Sequence, residues 1–233
     1  MEQSIKSLVI IPAYNEEKSI DRVVEDIRNN APDFDFVVVN DCSRDQTLQV
    51  CRIKGYPVLN LPVNLGIGGA VQTGYRYAQK NGYDVAVQFD GDGQHDAGYL
   101  RRMRDKLMAE NLDMVIGSRF LEKEGFQSSG IRRFGIRYFT RLIRMLTGTV
   151  ITDPTSGMRM AGKRVIAEFA GSYPKDYPEP ESVVHILRQG CIVDEVPVRM
   201  RERMEGVSSI SPGRSVYYMI KVTLAILMEM LRK

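Results

Sequence analysis

Short apolar runs alternate with longer stretches whose apolar residues recur at helical spacing, and the alternation repeats through the first half of the chain. Leu8-Val9-Ile10-Ile11, Phe36-Val37-Val38-Val39, Val58-Leu59-Asn60-Leu61, residues 84–89 and Met114-Val115-Ile116 read as strands. Most of these runs lack the polar alternation of a half-exposed strand, so they predict a sheet covered on both faces. Between them, Ile20, Val23, Val24 and Ile27 fall on one face of a helix over 16–30. Further helices are predicted near 46–54, with Ser43 or Asp45 as its cap, and over 67–80 and 97–109. The order predicts an α/β, Rossmann-like three-layer sandwich with a mainly parallel central sheet. Polar clusters close the strands: Tyr14-Asn15-Glu16, Asn40-Asp41 and Asp90–Asp92 all lie where ligands bind such sheets.

After Gly117 the pattern changes. A polar, glycine-bearing mobile loop is expected over 118–130, then helices over 131–147, 163–170 and 181–189, a compact turn segment at 153–160 and a late strand at 191–198. Residues 216–231 are rich in Ile, Leu, Met and Val, but the run contains Lys221 and Glu229 and falls short of the roughly 20 residues needed to span a bilayer. A main domain over 1–210 is therefore expected, with an amphipathic C-terminal helix over 211–233. That helix would lie on a membrane, dock on an integral-membrane partner, pack on the domain or form a homodimer seam.

Composition narrows the class. The 233 residues are 43% hydrophobic and 26% charged, ordinary for a soluble, core-forming protein, and the net charge of +3 suggests no nucleic-acid partner. Cys42, Cys51 and Cys191 are odd in number and widely spaced, which argues for reduced thiols in a cytoplasmic setting. His95 and His185 are the only histidines, so a multi-histidine metal site is excluded. The first residues run straight into a strand with no apolar core of signal-peptide length, so export by that route is not expected.

The segment Gln88-Phe89-Asp90-Gly91-Asp92-Gly93-Gln94-His95-Asp96 carries the most chemistry. Alternation along a strand would point Asp90 and Asp92 to one side, with Gly91 leaving room for a close ligand. Two carboxylates suit a hard cation that keeps open positions for phosphate oxygens, and Gln94 adds an oxygen. The plainer alternative is an acidic turn ending a strand. Tyr14 could lie against a base, Glu16 could accept from ribose or base, and Asp41 ends the second strand, where an acidic group commonly meets ribose hydroxyls. Asn64-Leu65-Gly66-Ile67-Gly68-Gly69-Ala70 follows the third strand, not the first, so it is not a dinucleotide fingerprint. Its glycines, Gly68 among them, would let the next helix start close under a nucleotide.

Six blocks in order resemble family 2 glycosyltransferases of the GT-A fold. They are residues 10–17, Val39-Asn40-Asp41-Cys42-Ser43, Asn64-Leu65-Gly66-Ile67-Gly68, residues 90–96, Gly117-Ser118-Arg119 and Asp153-Pro154-Thr155-Ser156-Gly157-Met158-Arg159. The downstream blocks are most similar to the dolichyl- and polyprenyl-phosphate sugar synthases. The resemblance implies Mg2+ or Mn2+ on Asp90, Asp92 and Gln94, and a nucleoside held by Pro12, Tyr14, Glu16, Asp41 and Gly68. It further implies that Arg119 and Arg203 contact donor or acceptor phosphate, with Ser156 and Arg159 on the acceptor phosphate. Apart from the resemblance, Arg132 or Arg133, in the basic helix after the loop, could reach the acceptor phosphate. The activity implied is inverting transfer of a sugar from a UDP- or GDP-sugar to a lipid phosphate.

An ionised phosphate acceptor needs little base catalysis, whereas a saccharide hydroxyl, the rival acceptor in cell-wall or capsule assembly, needs a carboxylate. Glu179 and Glu181 are candidates, or else charges favouring a helix N-terminus. Arg133, Arg137, Arg141 and Arg144 recur four, four and three residues apart and share one helix face, which suits a lipid headgroup surface or merely a solvated stripe. The expected location is cytoplasmic and peripheral on the membrane face. A sugar-1-phosphate nucleotidyltransferase is disfavoured, because no glycine- and arginine-rich loop follows the first strand. A non-catalytic sugar-nucleotide sensor is the remaining rival, and the intact site residues speak against it.

Overall fold

A computed structural model describes residues 5–122, 130–175, 178–201 and 212–231. Seven strands form one sheet: β1 (Ser7–Ala13), β2 (Asp35–Asn40), β3 (Val58–Asn60), β4 (Val85–Gln88), β5 (Met114–Ser118), β6 (Arg159–Gly162) and β7 (Val193–Pro197). Their order is β3-β2-β1-β4-β6-β5-β7. Every pairing is parallel except those of β6, which runs antiparallel to both β4 and β5, with Met160 opposite Val87 and Val115. The sequence reading placed the start of β6 in a compact turn segment. Only Met160 and Ala161 are apolar in this four-residue strand, too little to register as a run, although all four residues are buried.

Helices cover both faces, as continuous apolar strands require. Val9, Ile11, Val38, Val87 and Val115 point to one side, against α1 (Ile20–Asn30), α2 (Thr47–Ile53) and α4 (Leu100–Ala109). Leu8, Ile10, Val37, Ala86, Met114 and Ile116 point to the other. There they meet α3 (Gly66–Lys80), α5 (Gly130–Thr147), α6 (Lys163–Gly171), α7 (Pro178–Arg188) and α8 (Pro212–Leu231). The helix predicted from residue 16 begins only at Ile20. Glu16 N–H donates to Thr47 Oγ1 (2.8 Å) and Glu17 N–H to Asp45 Oδ2 (3.1 Å), and these bonds hold 16–17 in a loop. α2 begins at Thr47, so neither Ser43 nor Asp45 is its N-cap, which is Gln46; Asp45, one residue earlier, still accepts Thr47 N–H at 3.0 Å.

α8 has one docked and one open side. Val222 and Ile226 are buried against the core, and Tyr138 and Thr223 join α5 to α8 through their hydroxyls at 3.1 Å. His185 of α7 sits between Glu229 of α8 (2.6 Å) and Glu168 of α6 (2.7 Å). Tyr217, Ile220, Leu224, Leu227 and Met228 remain exposed. Among the described residues no helix is long and apolar enough to cross a membrane. Most of the loop expected over 118–130 lies outside the described residues.

Candidate active site

The chain runs β1, β2, β3 toward one edge of the sheet and then returns to place β4 on the other side of β1. The loops leaving β1 and β4 therefore diverge, and a crevice opens at their carboxyl ends, the expected ligand position in such sheets. A cleft of about 590 Å³ lies there, lined by Pro12, Tyr14, Glu16, Asp41, Arg44, Asn64, Ile67, Asp90 and Asp92 among others. Its size suits a nucleotide-sized ligand.

Two strained loops form one wall. Asn15 and Cys42 both have φ of 58°, a region that non-glycine residues seldom occupy. Cross-bracing holds them there: Asn15 N–H donates to Ser43 Oγ (3.0 Å), and Arg44 N–H donates to Asn15 Oδ1 (2.8 Å). The Tyr14 ring is left 43% exposed at the rim. Asp41 is buried at the base, where one carboxylate oxygen accepts Leu65 N–H at 2.7 Å and so ties the β3–α3 loop to the cleft.

The opposite wall is the turn after β4. That strand ends at Gln88, so Asp90 and Asp92 reach the cleft from a turn and not by strand alternation. Gly91 lines the cleft between the two aspartates; a Cβ there would meet the Pro12 carbonyl at 3.0 Å, so the glycine also lets the two walls approach closely. Asp92 Oδ1 accepts Gln94 N–H (3.0 Å), and the Gln94 carbonyl accepts Arg201 N–H (2.8 Å). Gln94 itself is half-buried and lies outside the lining of the cleft.

Several predicted site residues are placed differently. Gly68 does not face the cleft; a Cβ there would lie 2.1 Å from the Pro174 carbonyl, so this glycine admits the segment before α7. Arg159 is fully buried, and its guanidinium donates to the carbonyls of Pro154 (2.7 Å), Ser156 (2.7 Å) and Glu179 (2.5 Å) and to Ser182 Oγ (2.9 Å). It cross-links a loop to α7 and cannot serve an acceptor phosphate from there. Ser156 is likewise buried, its hydroxyl accepting Met158 N–H. Arg119 forms a two-pronged pair with buried Asp153 at 2.6 and 2.7 Å and also reaches Thr155. Glu181 is half-buried in the first turn of α7, and Arg133 half-buried in α5. Arg203 lies outside the described residues, as does the side chain of Arg132.

Sequence reasoning missed the groups that hold this wall. Glu195 of β7 accepts Thr152 N–H (2.7 Å) and Asp153 N–H (2.9 Å), which fixes the Asp153 that grips Arg119. Burial pushes the Glu195 carboxyl above its ordinary value, against the two N–H groups that favour its charged form. Arg44, which lines the cleft with Asp41, was also missed, although it directly follows the segment Val39-Asn40-Asp41-Cys42-Ser43. No short-range spacing signals Glu195, since its partners are more than forty residues away in sequence.

The profile described as "Glycosyl transferase family 2" matches residues 8–169. The undecaprenyl-phosphate mannosyltransferase of Micrococcus luteus is 30% identical over 218 residues, covering 90% of this chain and 89% of that protein. The UDP-N-acetylglucosamine–dolichyl-phosphate N-acetylglucosaminyltransferase of Methanococcus voltae is 28% identical, covering 82% of this chain and 84% of that protein. Among solved structures, the glucosyl-3-phosphoglycerate synthase of Mycobacterium tuberculosis, in complex with Mn2+, UDP and phosphoglyceric acid, superposes with a TM-score of 0.72. Its identity is 18%, with 97% of this chain and 78% of that chain covered, so this likeness shows the fold, which is GT-A.

Proposed function

The chain belongs to glycosyl transferase family 2, and from that premise we propose that it moves a sugar from a UDP- or GDP-sugar to a polyprenyl or dolichyl phosphate. One observation carries the reading: Asp90 and Asp92 line the same switch-point cleft as Tyr14, Glu16 and Asp41. The activities for which the Micrococcus and Methanococcus relatives are named support the lipid-phosphate acceptor.

The donor set suits Mg2+ or Mn2+. Asp90 and Asp92 offer hard oxygen ligands with Gln94 close by, and among the described residues no group of three or more His, Cys, Asp or Glu makes an all-protein cage. Such a pair leaves positions for diphosphate oxygens. When bound, the cation would neutralise charge on the departing nucleoside diphosphate. Tyr14 lays its ring against the base, Asp41 and Glu16 accept from nucleoside hydroxyl or N–H groups, and Pro12 shapes the floor. Arg119, pinned by Asp153, orders the loop beside the cleft, while Arg203, with Arg132 and Arg133, supplies positive charge to the phosphates.

In the transfer, a phosphate oxygen of the acceptor forms a bond to the anomeric carbon. The bond from that carbon to the diphosphate oxygen breaks, and its electron pair leaves with the nucleotide. Attack opposite the leaving group inverts the centre. The acceptor is already ionised, so no base is required, and Glu181 acts as a favourable charge at the N-terminus of α7.

Access to a lipid follows from α5 and α8. Phe134, Arg137, Arg141, Arg144 and Met145 are exposed on α5, and the open stripe of α8 adds apolar surface. Basic and apolar groups together suit an anionic membrane face, where the protein would sit peripherally.

A nucleotide-release assay over a donor panel tests the reading, run with Mn2+ or EDTA and with undecaprenyl phosphate, a disaccharide or no acceptor. Release is expected to need both metal and lipid phosphate, and Asp92→Asn is expected to lower it by about a hundredfold. Undiminished release in EDTA, or wild-type turnover by Asp92→Asn, sinks the metal assignment. Transfer to the disaccharide in place of the lipid moves the acceptor to a hydroxyl.

A further inference from the structure

The Asp90 carboxylate is backed by groups that the transfer chemistry leaves unused. His95 is 1% exposed, and neither ring nitrogen has a hydrogen-bond partner among the described residues. Leaving buried polar atoms unsatisfied costs about 1–3 kcal/mol each, so such a side chain requires an explanation. Its Nε2 faces Asp90 Oδ2 at 3.5 Å, just beyond hydrogen-bond reach. The ring is packed edge-on against the buried Phe89, with centroids 5.1 Å apart.

Other contacts converge on the same carboxylate. A Cβ at Gly157 would lie 2.6 Å from Asp90 Oδ2, so only glycine leaves that oxygen its place. Gln88 Nε2 donates to Oδ1 at 3.3 Å, and the Gln88 oxygen accepts the Tyr173 hydroxyl at 3.3 Å. Asp90 thus has its rear bounded by an imidazole, a glycine and an amide, while its front, about a third exposed, opens to the cleft.

We propose that His95 is a positioning residue that directs an Nε2–H at Asp90 Oδ2 and, with Gly157 and Gln88, holds the carboxylate facing the cleft. The consequence for metal affinity rests on the reading of Asp90 as a cation ligand; the packing of His95, Gly157 and Gln88 around the carboxylate does not. An imidazole N–H on a ligating carboxylate fixes the ligand's orientation, and loss of such a partner costs about 10–100-fold in metal affinity.

Two measurements test it separately. The first uses metal-free protein labelled with 15N-histidine, in which only His95 and His185 give ring signals. The signals that vanish in His95→Phe are expected to report the Nε2–H tautomer; an Nδ1–H tautomer overturns the proposal. The second titrates Mn2+ by electron paramagnetic resonance with UDP present. His95→Phe and Gly157→Ala are each expected to weaken Mn2+ about tenfold or more, and His95→Gln, which keeps a donor, less. UDP affinity in EDTA is expected to stay within about twofold for all three. Wild-type Mn2+ affinity in both His95→Phe and Gly157→Ala overturns the proposal. If the unmodified protein binds no Mn2+, the cation reading falls instead, and the tautomer still decides the role of His95.

Discussion

The arginines of the loop wall and those of α5 bear the same charge in opposite surroundings. Arg119 and Arg159 are buried, and their donors are met by Asp153, Thr155, Ser182 and three backbone carbonyls. Arg137, Arg141 and Arg144 stand exposed on α5. Read as sequence, both groups suggest phosphate contacts. The structure separates a set that builds the site from a set that faces outward. A guanidinium suits the first task because its planar fork meets several acceptors at once, which a lysine cannot do.

The largest effect is therefore expected from the buried set. Arg119→Ala leaves Asp153 charged and unpaired at 0% exposure, which costs about 3–5 kcal/mol. By the usual scaling, the melting temperature should fall by about 10 °C or more in calorimetry. Arg159→Ala should cost about 3 kcal/mol through its lost bonds to carbonyls, and Arg159→Lys should recover only part. Wild-type melting in both alanine variants would show that these arginines are not structural, and would return them to the acceptor site.

How legible was this in the sequence? The parallel strands β1, β2, β4 and β5 announce themselves because each is a continuous apolar run. Tyr14, Glu16, Asp41, Asp90 and Asp92 could be placed at one cleft because they follow the strand ends, and a strand end is a position that short-range pattern can locate. What stayed hidden depends on distant partners. β6 gains its burial from β4 and β5 and not from its own composition. Arg159 looks like a phosphate ligand until Glu179 and Ser182, some twenty residues on, are seen to accept from it. Gly157 needs its small size because of Asp90, sixty-seven residues away, and no spacing rule connects them.

Between the buried and exposed extremes lies His185, which holds the inner side of α8 through Glu229 and Glu168, with Arg188 beside Glu229 at 3.9 Å. Burial alone would lower its pKa, but hydrogen bonds and charge from the two carboxylates outweigh burial and hold it above the ordinary histidine value. A group raised in the folded state stabilises fully below its unfolded value of about 6.5 and loses that contribution as pH rises through the folded value. The melting temperature of the native protein should thus exceed that of His185→Gln most near pH 6, by a few degrees, and the gap should shrink toward pH 9. A gap that does not change with pH would mean that packing, and not the charged imidazole, holds α8 down.

The exposed set should have the smallest effect on stability and a distinct effect on location. Replacing Arg137, Arg141 and Arg144 together by Gln touches no buried contact, so stability should change by no more than about 0.5 kcal/mol per site. If these residues meet an anionic lipid face, each contributes about 1 kcal/mol of attraction near the surface. Co-sedimentation with phosphatidylglycerol vesicles should then fall by about a hundredfold in partition, while turnover on a detergent-dispersed lipid phosphate stays near wild type. Phosphatidylcholine vesicles should show little of this difference, because the attraction is electrostatic and is screened beyond roughly 8 Å at physiological salt. Unchanged partition on anionic vesicles would leave α5 a solvated basic stripe and shift the burden of membrane contact to Tyr217, Ile220, Leu224 and Met228 on α8. In that event Leu224→Glu, and not the arginine replacements, should release the protein.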